Sequence, residues 1–291
     1  MMKLQSDCLN CIVNMQADKY PPDCSEEQKL IYKQKVFKVL AEAKPTESAP
    51  LLIKRIADVQ TELFGESVNY TKIKRFYNQY VTEKLPVIEK NIMQSQDSLL
   101  RAVQYSLTGN FIDFGAMKSV DNDKFEQLLE NASSIQLGEE YQKMKDELQC
   151  AKHLVVLTDN CGEIVFDKML IRTVKKLYPD VRITVVVRGQ AVLNDATMED
   201  AMQIGLMEEC EVIGNGTNIA GTCLDLISDE ARLSIFSADI ILAKGQGNFE
   251  TLQDCGLNVY FLFMCKCKMF SKRFHVEQYS GMLINDKRKG I

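Results

Sequence analysis

The sequence predicts an α/β protein: a helical N-terminal region followed by a three-layer α/β/α domain with a mainly parallel sheet. Three observations carry this. Strand-like apolar runs are scarce before residue 150 and recur at short intervals after it. Between those runs lie helical patterns, the alternation of a parallel sheet covered by helices on both faces. The runs are apolar throughout rather than every second residue, as strands buried on both sides are. The 291 residues, 46% hydrophobic and 26% charged, suffice for one large domain or two ordinary ones. We place the division at residue 97, with a helical unit over 1–97 and an α/β unit over 98–291.

Taken in order, residues 26–43 set Leu30, Ile31, Val36, Phe37 and Leu40 at helical spacing. A second helix is expected over 48–65, with Ser48 as its cap and Gly65 as its stop. A long helical pattern runs from about Tyr70 to Leu107 and is expected to bend or split near Pro86. Residues 121–149 form another charged amphipathic stretch. The strands expected after that are 153–159, 182–189, 210–216, 238–245 and 258–265, with the clearest intervening helix over 163–178.

The ends of these strands collect the chemistry. The first ends in Asp159-Asn160, and the second in Arg188-Gly189 with Asn194-Asp195 just beyond. The third ends in the turn 214–218, "GNGTN", and the fourth in Lys244-Gly245. Ligands of open parallel sheets bind outside the C-terminal ends of the strands, so one edge receives all of these groups. Asp159, Asn160 and Asp195 are hard oxygen donors, suited to Mg²⁺ or Mn²⁺ with positions left for water and phosphate. The competing reading makes each a helix cap, since Asp and Asn are favoured there. Lys244 precedes "GQGNFE", where glycines admit backbone N–H groups to an anion and the ammonium supplies charge. The competing reading is a surface lysine beside a turn.

Other classes find little support. No G-x-G-x-x-G follows the first strand and no P-loop pattern occurs. His153 and His275 are the only histidines, and no G-x-S-x-G elbow is present for a serine triad. The net charge of −5 offers no basic face for nucleic acid, and the basic clusters at 266–274 and 285–290 read as solvated surface. No apolar run is long enough to cross a bilayer, and no secretory signal opens the chain. Ten cysteines in such a chain point to a reducing cytoplasm. Cys8 and Cys11 form a C-x-x-C pair, with Cys24, Cys265 and Cys267 elsewhere. They raise the expectation of a second, thiol-bound metal, against the plainer reading of small buried apolar residues.

Several of these segments together resemble the damage-control phosphatases, a metal-dependent family once known only as a domain of unknown function. The segments are "TDNCGEIVFDKMLI" (158–171), "RGQAVLNDATMEDA" (188–201), "GTCLD" (221–225) and "AKGQGNFETL" (243–252). "GNFIDFG" (109–115) and "DCLNCIV" (7–13) resemble the branch found in bacteria and archaea. The resemblance implies a helical N-terminal region joined to a Rossmann-like domain. It further implies one divalent ion, Mn²⁺, Ni²⁺, Co²⁺ or Mg²⁺, held by Asp159, Asn160 and Asp195. Lys244 would meet the substrate phosphate, and Asn110 and Asp113 would border the pocket. Gly162 would supply the tight turn, and the helix opening at Glu163 would direct its positive end to the same space, making both candidate substrate contacts. Cys161 departs from the small Ala or Ser that the resemblance leads one to expect.

The activity implied is hydrolysis of small phosphorylated metabolites. Asp159 or Asp195 could orient a water as base, or Asp159 could attack phosphorus itself. The alternatives are a small-molecule methyltransferase using S-adenosylmethionine and a non-catalytic metal-binding protein. The first wants an acid after the second strand, where Arg188 and Gly189 stand.

Overall fold

The computed structural model describes residue 2 and residues 4–65, 69–115 and 119–287, so part of the basic cluster at 285–290 lies outside the described residues. Helices α1 (Ser6–Gln16), α2 (Glu26–Ala41) and α3 (Ala49–Phe64) come first. They enclose a small core of their own, built on Ile12, Tyr32, Val36, Leu40, Leu52 and Ile56. Ser25 and Gln28 form a reciprocal capping box that fixes the start of α2. Ser48 takes the cap position of α3, as expected, but its side chain makes no capping hydrogen bond, and Pro50 in the first turn supports the start. Gly65, at φ +82°, ends α3.

The long pattern after Tyr70 splits twice, into α4 (Thr71–Thr82), α5 (Leu85–Gln94) and α6 (Ser98–Gly109). Pro86 lies in the first turn of α5, and Asp97 caps α6 by accepting from the Leu100 amide. α7 (Asn122–Glu130) and α8 (Gly138–Leu148) follow. The alternating part comprises β1 (His153–Leu157), α9 (Glu163–Leu177), β2 (Arg182–Val187), α10 (Met198–Gln203) and β3 (Glu211–Gly214). It continues with α11 (Asp229–Phe236), β4 (Ile240–Lys244), α12 (Gly245–Leu252), β5 (Val259–Met264), α13 (Lys268–Phe274) and β6 (Gly281–Asn285).

The sheet order is β3-β2-β1-β4-β5-β6. All pairings are parallel except β5 with β6. Alternate residues of β1 serve opposite layers: Leu154 and Val156 join one apolar cluster, Val155 and Leu157 the other. α4 to α10 supply the first cluster and α11 to α13 the second, which is the three-layer arrangement. α4 and α5, counted in the unit 1–97 by the sequence reading, share their core with the sheet. β6 was not foreseen.

Strand order reverses between β1 and β4, so the segments leaving these neighbours travel apart and open a crevice at the C-terminal edge. Asp159 comes two residues after β1, and Gly245 directly after β4.

Candidate active site

Beyond β1 the chain lies alongside the segment beyond β2. The Ala196 amide donates to the Asp159 carbonyl at 2.7 Å and the Cys161 amide to the Asn194 carbonyl at 2.8 Å. Asn160 and Asp195 thereby form an isolated antiparallel bridge, which brings Asp159, Asn160 and Asp195 to one place. None of the three is a helix cap. Thr197 caps α10 in a capping box with Asp200, and Gly162, at φ +70°, precedes α9. The capping alternative therefore has no counterpart in the structure.

Each of the three side chains is buried, and in each one oxygen is already engaged or one face already turned. Asp159 Oδ2 accepts from Asn160 Nδ2 at 2.7 Å and from Asn110 Nδ2 at 3.0 Å. Asp195 Oδ2 accepts from Arg188 Nε at 2.7 Å. Asn160 Nδ2 is used by Asp159 and by Glu163 Oε2 at 3.0 Å. Among the described residues no hydrogen bond falls on Asp159 Oδ1, Asn160 Oδ1 or Asp195 Oδ1; an Arg188 guanidinium nitrogen stands 3.6 Å from the first. Three oxygens, one from each residue, are left for an outside partner. Asp159 is held close as well: a Cβ on Gly245 would stand 1.9 Å from its Oδ2.

The charges fit a cation. Burial first, then Asp195 and Glu163, push the Asp159 carboxyl well above its ordinary range, with Lys266 pulling it back. Burial pushes Asp195 up to about 6 against the opposing Arg188. Asp113, Asp159, Glu163, Asp167 and Asp195 are five carboxyl groups, and Arg188, Lys244 and Lys266 are the three cations paired with them. Among these described groups the carboxylates outnumber the cations, an excess of negative charge that a cation can offset. Two carboxylates and an amide oxygen are hard donors of the kind Mg²⁺ and Mn²⁺ prefer, so the residues fit such a group. Among the described residues no cluster of three or more His, Cys, Asp or Glu stands at metal-holding geometry; here the third donor is an amide.

Other sequence-predicted residues fall elsewhere. Lys244 does not face the crevice. Its ammonium is fully buried and donates to Glu163 Oε1 at 2.6 Å, Asp167 Oδ1 at 2.8 Å and the Ser106 carbonyl at 3.1 Å. Glu163 is likewise at 0% exposure, turned inward to Lys244, Asn110 and Asn160. Asn110 is a strut rather than a pocket wall: its oxygen accepts from the Met264 amide and its NH₂ spans Asp159 and Glu163. The amides of residues 160, 161 and 162 are taken by Glu163, Asn194 and Asn78, so they offer no seat for phosphate. Gly162 is needed for its backbone, at φ +70°, and a Cβ there would also press on the end of the Ile112 side chain at 2.8 Å.

Two cations at the site had no role in the sequence reading, Arg188 noted only as a strand end and Lys266 only within a basic cluster. Arg188, 1% exposed, lies between Asp195 and Asp159 and also donates to the Gly221 carbonyl at 3.1 Å. Lys266 stands just beyond β5 and donates to Asp113 Oδ2 at 2.5 Å. It is near enough to Asp159 to lower that carboxyl's pKa. Its place was legible as the residue after the fifth apolar run, at the same sheet edge as the others. Asp113 is thus at the site, as the partner of Lys266. The loop that leads to Asp195 also lines a cavity of about 530 Å³, walled by Tyr70 and Lys74 from the helical side and by Gln190 and Leu193 from the loop. Cys8 and Cys11 come near Cys267 and Glu250, and burial raises both thiols, Cys8 to about 11. Among the described residues they complete no metal cage.

Residues 4–282 match the family model described as the damage-control phosphatase ARMT1-like domain. The chain is 33% identical to a damage-control phosphatase of Archaeoglobus fulgidus over 71% of its own length and 72% of that protein. It is 27% identical to damage-control phosphatase PH1575 of Pyrococcus horikoshii over 99% and 100% of the two chains. The crystal structure of that DUF89 family protein superposes with a TM-score of 0.82 at 25% identity, covering 98% of this chain and all of the other. No helix among the described residues is long and apolar enough to cross a membrane.

Proposed function

The chain belongs to the damage-control phosphatase ARMT1-like family, and on that premise we propose that it is a divalent-metal-dependent phosphomonoesterase acting on small phosphorylated metabolites. The observation that carries this reading is the set of three open oxygens, from Asp159, Asn160 and Asp195, brought together at one buried place. A bound divalent ion would polarise a phosphoryl oxygen and make a bound water more acidic.

The rest falls to the chain's own side chains. Arg188 holds Asp195 in one orientation and offsets its repulsion with Asp159. Asn110 and Gly245 hold Asp159 from two sides. Lys266, tethered by Asp113, supplies a compact positive charge for the oxygens of the transferring group, the role the sequence reading gave to Lys244. Burial around these groups thins out competing water and strengthens each charge interaction. The cavity beside the loop has room for a small metabolite.

A methyltransferase reading wants an acidic side chain beyond β2 for a ribose. Arg188 stands there and is committed to Asp195. The test is phosphate release from a panel of phosphate monoesters by protein stripped with a chelator, then reloaded with Mn²⁺, Co²⁺, Ni²⁺ or Mg²⁺. Activity is expected only after reloading. Equal activity in excess chelator overturns the proposal.

A further inference from the structure

Lys244 ends β4 with an ammonium that has three hydrogens and three acceptors: the Ser106 carbonyl, Glu163 Oε1 and Asp167 Oδ1. Nothing remains to offer a substrate oxygen. Its influence runs through Glu163. While Lys244 pins Oε1, the other oxygen of that carboxylate accepts from Asn160 Nδ2 at 3.0 Å, from the Asn160 backbone amide at 3.3 Å and from Asn110 Nδ2 at 2.9 Å. Asn160 Nδ2 gives its second hydrogen to Asp159 Oδ2 at 2.7 Å.

An ionised carboxylate only accepts hydrogen bonds, so the side of the Asn160 amide turned toward Glu163 and Asp159 is its NH₂. Its oxygen is then presented to the opposite side. The matter is consequential because the two ends of an amide have nearly the same shape. A flipped Asn160 would turn NH₂ hydrogens toward a cation and its oxygen toward two carboxylates.

We propose that Lys244 is a positioning residue: with Asp167 it fixes the Glu163 carboxylate, and Glu163 locks the Asn160 amide with its oxygen directed at the divalent ion. This rests on reading Asp159, Asn160 and Asp195 as that ion's ligands. Asp167 completes the device from one turn along α9. It takes the Ser106 hydroxyl at 2.6 Å on the same oxygen that Lys244 reaches. Glu163 and Asp167, four residues apart on the buried face of α9, hold the lysine from two directions.

Lys244→Met alone leaves two buried carboxylates without their cation, and such a break destabilises strongly. The informative variant is Lys244→Met with Asp167→Asn. It keeps the net charge of the trio at one negative, and the amide introduced by the second change can still accept from Ser106. Mn²⁺ affinity is measured by calorimetry on stripped protein, and KM for p-nitrophenyl phosphate at saturating Mn²⁺. The double variant is expected to bind Mn²⁺ about 10–100-fold more weakly, the size found when a ligand loses its supporting partner. KM at saturating metal should stay within about twofold of wild type, because Lys244 does not touch substrate. Unchanged Mn²⁺ affinity, with or without a raised KM, overturns the proposal. Should the double variant fail to fold, Glu163→Gln decides. Its amide sets an NH₂ against that of Asn160, so Mn²⁺ affinity should fall by a similar factor, and undiminished affinity overturns the proposal. Wild-type protein that takes up no Mn²⁺ would instead overturn the metal reading itself, which is a distinguishable failure.

Discussion

Lys266 reaches Asp113 Oδ2 across 2.5 Å and so joins the end of β5 to the loop that follows α6. Its charge lies close enough to Asp159 to lower that carboxyl's pKa. Lys266→Met keeps the apolar stem and removes the charge. Turnover is expected to fall by about 10²-fold or more, the size seen when one electrostatic stabiliser is lost. Mn²⁺ affinity should hold or rise slightly, since a neighbouring positive charge is gone. Turnover within about twofold of wild type would remove Lys266 from the chemistry.

Asp195→Ala removes one of two carboxylate ligands and also strips Arg188 of its 2.7 Å partner. Most of the metal affinity should be lost, because a set of three ligands cannot easily spare a carboxylate. Metal-free stability should also fall, because Arg188 loses its close carboxylate and keeps Asp159 at 3.6 Å with the neutral Gly221 and Asn248 acceptors. Asp195→Asn keeps an acceptor for Arg188 and should lose affinity with a smaller loss of stability. Chemical denaturation of the stripped proteins checks the ordering, and equal stability of the two variants would contradict it.

Gly245 combines φ +77° with a Cβ position 1.9 Å from Asp159 Oδ2. Gly245→Ala must displace the carboxylate or the turn. Both Mn²⁺ affinity and turnover should drop, whereas Gly256→Ala, also at positive φ but with open space around it, should cost stability alone. Wild-type affinity in Gly245→Ala would show that Asp159 is not held where the structure puts it.

β1, β2, β4 and β5 were legible because each is a short, almost continuously apolar run, and burial on both faces demands such runs; β3, at the sheet edge with only Val212 and Ile213 buried, was legible from the turn that follows it. β6 was not, because "GMLIN" is short and its pairing to β5 is set by the turn before it. Asp159, Asn160 and Asp195 were legible from their place after strands. Lys244 was given the wrong neighbours because a sequence shows where a strand ends but not which way its last side chain turns. The corrective signal was present: Glu163 and Asp167 sit four apart on a helix whose inner face must pack on the sheet, and two buried acids there call for a cation. Ser48 does take the cap position, but that its hydroxyl makes no capping hydrogen bond is visible only in the geometry.

The Asp167 carboxyl gives a pH dependence with a definite sign. Burial, with Lys244 opposing, lifts it from an ordinary 3.8 to about 6 in the folded protein. As pH falls through 6 the folded state takes up the proton before the unfolded state does. Asp167 therefore costs stability above pH 6, and that cost is relieved between about 6 and 4. Asp167→Asn has no such titration. The difference in Tm, wild type minus Asp167→Asn, should rise as metal-free samples are taken from pH 6.5 to 4.5. A flat or falling difference would contradict the assignment.

The central claim is that Asp159, Asn160 and Asp195 jointly hold one divalent ion. Anomalous X-ray scattering from crystals soaked in Mn²⁺ measures this without reference to turnover. One strong anomalous peak is expected, bonded to a carboxylate oxygen of Asp159, a carboxylate oxygen of Asp195 and the amide oxygen of Asn160, at distances of about 2.0–2.2 Å typical of small hard divalent ions. No peak among these three residues at millimolar Mn²⁺, or a peak bound by other side chains, would contradict the claim.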